Sequence, residues 1–163
     1  MWATIRTQRY ETAKFIEAKQ EAAAKLIDER GQTAGREALA ELYVLRRHIV
    51  HFEFPPDVEA RRAWFHAGEE MADKAELTAG LIPQAPEIRP RLEEALNATL
   101  RCMAGNRRSS IRSTFRSTNA VDHAIEILQA FLRGDPLPEP SAGVEDVRQH
   151  RARYDIENPP DLD

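Results

Sequence analysis

Five arginines, Arg101, Arg107, Arg108, Arg112 and Arg116, fall within the 27 residues from Ala95 to Val121, a stretch that contains no carboxylate. A local charge of +5 thus sits in a chain whose net charge is -4. Three of these arginines head a four-residue repeat, Arg108-Ser-Ser-Ile, Arg112-Ser-Thr-Phe and Arg116-Ser-Thr-Asn. In a helix this spacing stacks Arg108, Arg112 and Arg116 on one face, with Ile111 and Phe115 on the neighbouring one. In an extended segment the three again share a side. Guanidinium forks bind phosphate oxygens bidentately, and Ser or Thr hydroxyls add hydrogen bonds to the same oxygens. That is chemistry for a nucleic-acid backbone, RNA or DNA, with little sequence specificity. The competing reading is a surface loop pinned to the core by Ile111 and Phe115, its arginines paired with acids elsewhere.

The segment LRRHIVHFEF offers a different chemistry. Arg46 and His51 stand with four residues between them, which resembles the arginine-x4-histidine motif of HEPN-type ribonucleases, helical-bundle proteins that cut RNA. The resemblance covers six residues, and position 47 is Arg where that family often has Asn, His or Asp. It implies that Arg46 stabilises charge on the phosphate and that His51 acts in acid-base cleavage, across a dimer. The same residues also form a basic last helical turn that complements the helix dipole.

Other constellations are thin. His48 with His51, His66 with Glu69 or Glu70, and His123 with Glu126 are scattered over different helices, and the Glu-x-x-His of di-metal carboxylate bundles does not occur. No metal site is expected. Cys102, the single cysteine, rules out an internal disulfide framework and any cysteine-based zinc module, and reads as a small core thiol in a reducing compartment. The run Glu69, Glu70, Asp73 and Glu76 reads as a solvated face. Glycine-rich phosphate loops, nucleophile elbows and dinucleotide fingerprints are missing, so no cofactor is expected and a non-catalytic role is favoured over an enzyme.

The elements that must position these residues are helices. Of the apolar residues 24 are alanine and only 16 are Val or Ile, which is the balance of a helical bundle rather than a sheet. No proline precedes Pro55 and none falls between Pro90 and Pro136, while most glycines sit where helices should stop. Five amphipathic helices are predicted. The first covers about 4–30 with a thin apolar line of Ile5, Ala13, Ile16, Ala23 and Ile27 and Gly31 as its cap, so it faces solvent or awaits a partner. Thr33 caps the second, whose stripe Ala38, Leu42, Leu45, Ile49 and Phe52 ends at Pro55-Pro56. Asp57 caps the third, about 58–78, with Ala60, Trp64, Ala67, Met71 and Ala75 on one face and Gly80 after its end. The fourth covers about 90–104 with Leu92, Leu96, Thr99 and Met103 inward. The fifth begins at Asn119 and carries Val121, Ala124, Ile125, Leu128 and Leu132 before Gly134.

The fold class expected is therefore all-α, a bundle of about five amphipathic helices over 1–134. Residues 135–163, with DPLPEPSAG and ENPPDLD, read as a proline-rich linker and an acidic, partly disordered tail in which 144–154 can form one short helix. An 18.5 kDa chain with no apolar stretch long enough to span a bilayer reads as soluble and cytoplasmic, without a membrane partner. The leading functional expectation is a small helical protein that holds phosphate backbone through Arg101, Arg107, Arg108, Arg112 and Arg116 as a subunit of a larger nucleoprotein assembly. The alternatives are the ribonuclease using Arg46 and His51, and a protein-interaction or regulatory module.

Overall fold

The computed structural model describes residues 2–51, 57–83, 86–104 and 110–157, with side chains over 14–51, 57–83, 86–104 and 114–149. Among these residues the protein is all-α: α1 (Trp2–Val50), α2 (Val58–Ala79), α3 (Ile88–Ala104), α4 (Ser110–Arg133) and α5 (Ala142–Glu157). The first four form a ring in which α1 packs on α2, α2 on α3, α3 on α4 and α4 back on α1. The short helix α5 lies against α3 and α4. Neighbours around the ring run antiparallel. Arg46 of α1 meets Asp122 midway along α4, whereas Gly35 approaches Phe131 and Leu132 at its end.

Five helices are present, but they are not the five read from the sequence. The expected break at Gly31 does not occur, and α1 runs through it for 49 residues. Gly35 is a packing glycine, and Gly31 lies inside the helix against Pro83 and Phe131. A Cβ built on Gly35 would stand 3.0 Å from both Leu132 Cδ2 and Phe131 Cε1, so only glycine lets α4 come this close without rearrangement. Thr33, expected as a cap, donates its hydroxyl to the Glu29 carbonyl at 2.9 Å inside the helix. Glycine costs about 1 kcal/mol in a helix interior, and the burial of Gly31, Ala34, Gly35 and Ala38 on neighbouring helices outweighs it. The expected stripe Ala38, Leu42, Leu45 and Ile49 is buried, while Phe52 lies outside the described residues.

The other boundaries follow local chemistry with two exceptions. Asp57 accepts from the Ala60 backbone N–H at 2.7 Å and starts α2 as expected. Gly134, at φ +72°, closes α4, with its own N–H bonded to the Phe131 carbonyl and the Asp135 N–H to Ala130, a Schellman ending. The fully buried line of α2 is Gly68, Ala72, Ala75 and Ala79, one step round from the expected Ala60–Ala67–Met71 face. Small residues there admit the tip of Met103, and Trp64 and Met71 are left half-buried. The second exception is α4, which starts nine residues before Asn119. Its Ser/Thr run is helical despite weak propensity, with Ser117 buried and the Thr118 hydroxyl donating to the Thr114 carbonyl at 2.8 Å.

The segment after Gly134 is docked as far as it is described. Val144 is fully buried and joins the core, with Leu137 and Val147 packed against it. Ser141 caps α5, its hydroxyl accepting from the Val144 N–H at 3.5 Å. Arg148 of α5 forms a bidentate pair with Glu94 of α3, one arm of it Nη2 to Oε2 at 2.6 Å. Residues 158–163 of the expected acidic tail lie outside the described residues.

Candidate nucleic-acid interface

Because ring neighbours alternate in direction, the end of α1, the start of α2, the end of α3 and the start of α4 share one end of the bundle. Arg101 lies in the last turn of α3 and is exposed. Arg116 lies in the second turn of α4 and Arg112 in the first, with the Arg112 side chain outside the described residues. Arg107 and Arg108, between the two helices, lie outside them as well. The hairpin of α3 and α4 thus brings Arg101 to the same end as the start of the arginine row.

Two cations not singled out from the sequence join them. Arg47 in the last turn of α1 and Arg62 near the start of α2 are exposed, and neither they nor Arg101 have a carboxylate partner among the described residues. The signal that could have found them is the alternation of helix direction itself, which collects the ends of α1 and α3 with the starts of α2 and α4. Three acids at this end are already engaged. Asp57 caps α2, Asp122 holds Arg46, and Asp146 of α5 meets Arg116 with Oδ2 3.2 Å from Nη2. Arg116 remains 55% exposed in its side chain.

Phe115 departs from expectation. It does not pin the segment to the core but stands 67% exposed between Arg112 and Arg116. An exposed ring between arginines is a surface on which an unpaired base can stack. Cys102, half-buried one residue past Arg101, has its thiol pushed up by burial, with the Arg116 charge pulling the other way.

Arg46 and His51 both lie at the end of α1, five residues apart. Arg46 is turned onto α4, its Nε donating to Asp122 Oδ1 at 2.5 Å, and that hydrogen bond, followed by the carboxylate charge, raises its pKa. His51 lies exposed just past the end of α1, its backbone N–H bonded to the Arg47 carbonyl. A five-residue helical step turns about 140°. His48 is occupied with Trp64: its Nε2 donates to the Trp64 carbonyl at 2.9 Å, Trp64 Nε1 donates back to the His48 carbonyl at 3.3 Å, and the rings stack 5.1 Å apart.

The remaining histidine–acid pairs stay local. His66 Nδ1 lies 2.8 Å from Glu69 Oε2, and His123 Nδ1 lies 3.8 Å from Glu126 Oε2. No group of three His, Cys, Asp or Glu side chains that could hold a metal ion occurs among the described residues. Nor is any described helix long and apolar enough to cross a membrane. Comparison with protein-family models, with curated proteins and with solved structures finds no match to this chain.

Proposed function

We propose that this protein is a non-catalytic helical module that grips nucleic-acid phosphate backbone with the basic end of its bundle. The observation that carries the reading is the placement of the exposed Arg47, Arg62, Arg101 and Arg116 at one end of the bundle, with the exposed ring of Phe115 next to Arg116 in the chain. Arginines suit the phosphates bidentately, and the ring suits a base released from stacking, so single strands are the preferred ligand. Among the described residues, Asp57, Asp122 and Asp146 are held by a cap or an arginine and Glu59 in the first turn of α2 is not, while Glu53 adds one further carboxylate through its place in the sequence. Arg107, Arg108 and Arg112 add to the same end through their place in the sequence.

Fluorescence anisotropy of labelled single-stranded RNA, single-stranded DNA and duplex DNA, at low and physiological salt, tests this. Binding should weaken steeply with salt, as release of condensed counterions requires. Charge reversal of Arg108, Arg112 and Arg116 together should abolish it, and Phe115→Ala should cost about 1–3 kcal/mol on single strands and little on duplex. The recovered strand should be intact. Absence of binding at low salt overturns the proposal. Divalent-independent cutting that is lost in His51→Ala would replace it with the ribonuclease.

A further inference from the structure

The last helix meets the arginine row with acids. α5 lies across α3 and α4, and its first turn touches α4 at Arg116 itself. A Cβ built on Gly143 would stand 3.1 Å from the Arg116 carbonyl, so only a residue without one lets the two backbones come this close undisturbed. Just before the helix, the Ser141 hydroxyl donates to the Asn119 carbonyl at 3.4 Å. From this seat Asp146 sets Oδ2 3.2 Å from Arg116 Nη2, one of the nitrogens that a guanidinium fork presents to a phosphate. Glu145, its neighbour in the chain, is exposed in the same turn. A strand that reaches Arg116 therefore meets a carboxylate already on that arginine and a second one beside it in the helix.

Little apolar surface holds α5 in place. Of its described side chains Val144 alone is fully buried and Val147 is half-buried, whereas Glu145, Asp146, Arg148 and Gln149 are exposed. A polar helix of 16 residues draws its stability from such packing rather than from propensity. Its other contacts are ion pairs at the surface, Asp146 on Arg116 and Arg148 on Glu94 of α3, and exposed pairs contribute little. The connection from Gly134 is the proline-rich run Asp135-Pro-Leu-Pro-Glu-Pro-Ser141, which Arg91 of α3 anchors by donating Nη1 to the Pro138 carbonyl at 2.9 Å. A tether of this kind keeps a detached segment near its seat at an effective concentration on the order of millimolar, so a weak contact still competes. We propose that α5 is an internal competitor of nucleic acid: docked, it holds Arg116 with Asp146, and a bound strand displaces it from α4. The inference rests on the phosphate-binding reading and adds regulation to the same site. Competition lowers affinity without closing the grip, because Arg47, Arg62 and Arg101 stay exposed beside the docked helix.

Hydrogen exchange of the full chain, followed over the α5 amides with and without saturating single-stranded oligothymidylate, reads the displacement directly. Protection of α5 should fall on binding, while that of α3 and of 34–49 in α1 should not. Two variants loosen α5 without altering an arginine of the grip. Arg148→Glu sets like charges against Glu94, and it should tighten oligothymidylate binding by about three- to tenfold, the reciprocal of the fraction of chains whose α5 is open. The gain should appear although the variant makes the chain more acidic, and adding Glu94→Arg, which re-forms the pair with its charges exchanged, should reverse it. Gly143→Val presses on the Arg116 carbonyl and should tighten binding in the same way without any change of charge. Salt-sensitive binding with α5 equally protected in the complex overturns the inference and leaves the phosphate-binding reading standing. Binding by both variants that is no tighter than that of the unaltered chain does the same. A protein that binds no strand in any of these forms overturns both.

Discussion

Replacing Gly31 with alanine should stabilise the protein, and the sign of the change tests the continuity of α1. Gly31 lies inside the helix without a positive φ, and a Cβ there would meet Pro83 Cδ at 3.4 Å and the Phe131 ring at 3.7 Å, which are ordinary contacts. Alanine in a helix interior is favoured over glycine by about 1 kcal/mol, partly by restricting the unfolded chain. For a chain of this size that corresponds to a rise in Tm of about 2–4 °C. Had α1 ended at Gly31 with that residue in the left-handed region, alanine would instead cost about 1–2 kcal/mol. Gly35 provides the internal control. Its Cβ would press on Leu132 and Phe131 at 3.0 Å, and overpacking of about 1–3 kcal/mol cancels or exceeds the same helical gain. Urea unfolding followed by circular dichroism should therefore separate the two variants by about 1–3 kcal/mol, with Gly31→Ala the more stable. A destabilised Gly31→Ala protein would refute the continuous helix and, with it, the projecting half of α1.

Two further outcomes follow from single side chains. His123 is buried with Nδ1 unpartnered, and its pKa is lowered below 6.5 first by burial; Glu126 and Glu94 oppose the shift and Arg91 reinforces it. The unfolded chain binds this proton more readily, so stability is full above pH 6.5 and declines as pH falls from there to the native pKa; His123→Leu should remove that decline in a pH series of urea unfolding curves. Asp146→Asn should release Arg116 from its 3.2 Å contact and, on the phosphate-binding reading, tighten single-strand binding by up to about fivefold while steepening the salt dependence by about one unit; unchanged affinity and slope would mean that Arg116 does not reach the strand.

Where a boundary is set by a residue's own side chain or φ, the sequence made it legible. Asp57 and Gly134 carry their reasons with them, and so does the Ala38–Ile49 stripe, whose spacing faces one direction. Gly31 and Thr33 looked equally clear, yet a glycine that stops a helix and a glycine that admits a neighbour have the same local signature. The difference lies in Pro83 and Phe131 beside Gly31, far away in the chain. The Ser/Thr run of α4 misled for a related reason, since burial of Ser117 against the core overrides weak propensity. At the basic end, Arg101 and Arg116 were visible as a carboxylate-free stretch, whereas Arg47 and Arg62 were assigned to that end only once alternate helices were laid antiparallel. Phe115 was visible as a ring beside arginines, and its exposure could not be read from spacing that serves a core anchor equally well.

The unbroken length of α1 sets a distance as well as a contact. Below Gly31, where α2 and α4 cease to cover it, the helix rises about 25 Å from Arg30 back to Lys14. That half is helical without tertiary burial, so it is the part of the fold that opens first, and amide hydrogens over 14–30 should exchange faster than those over 34–49.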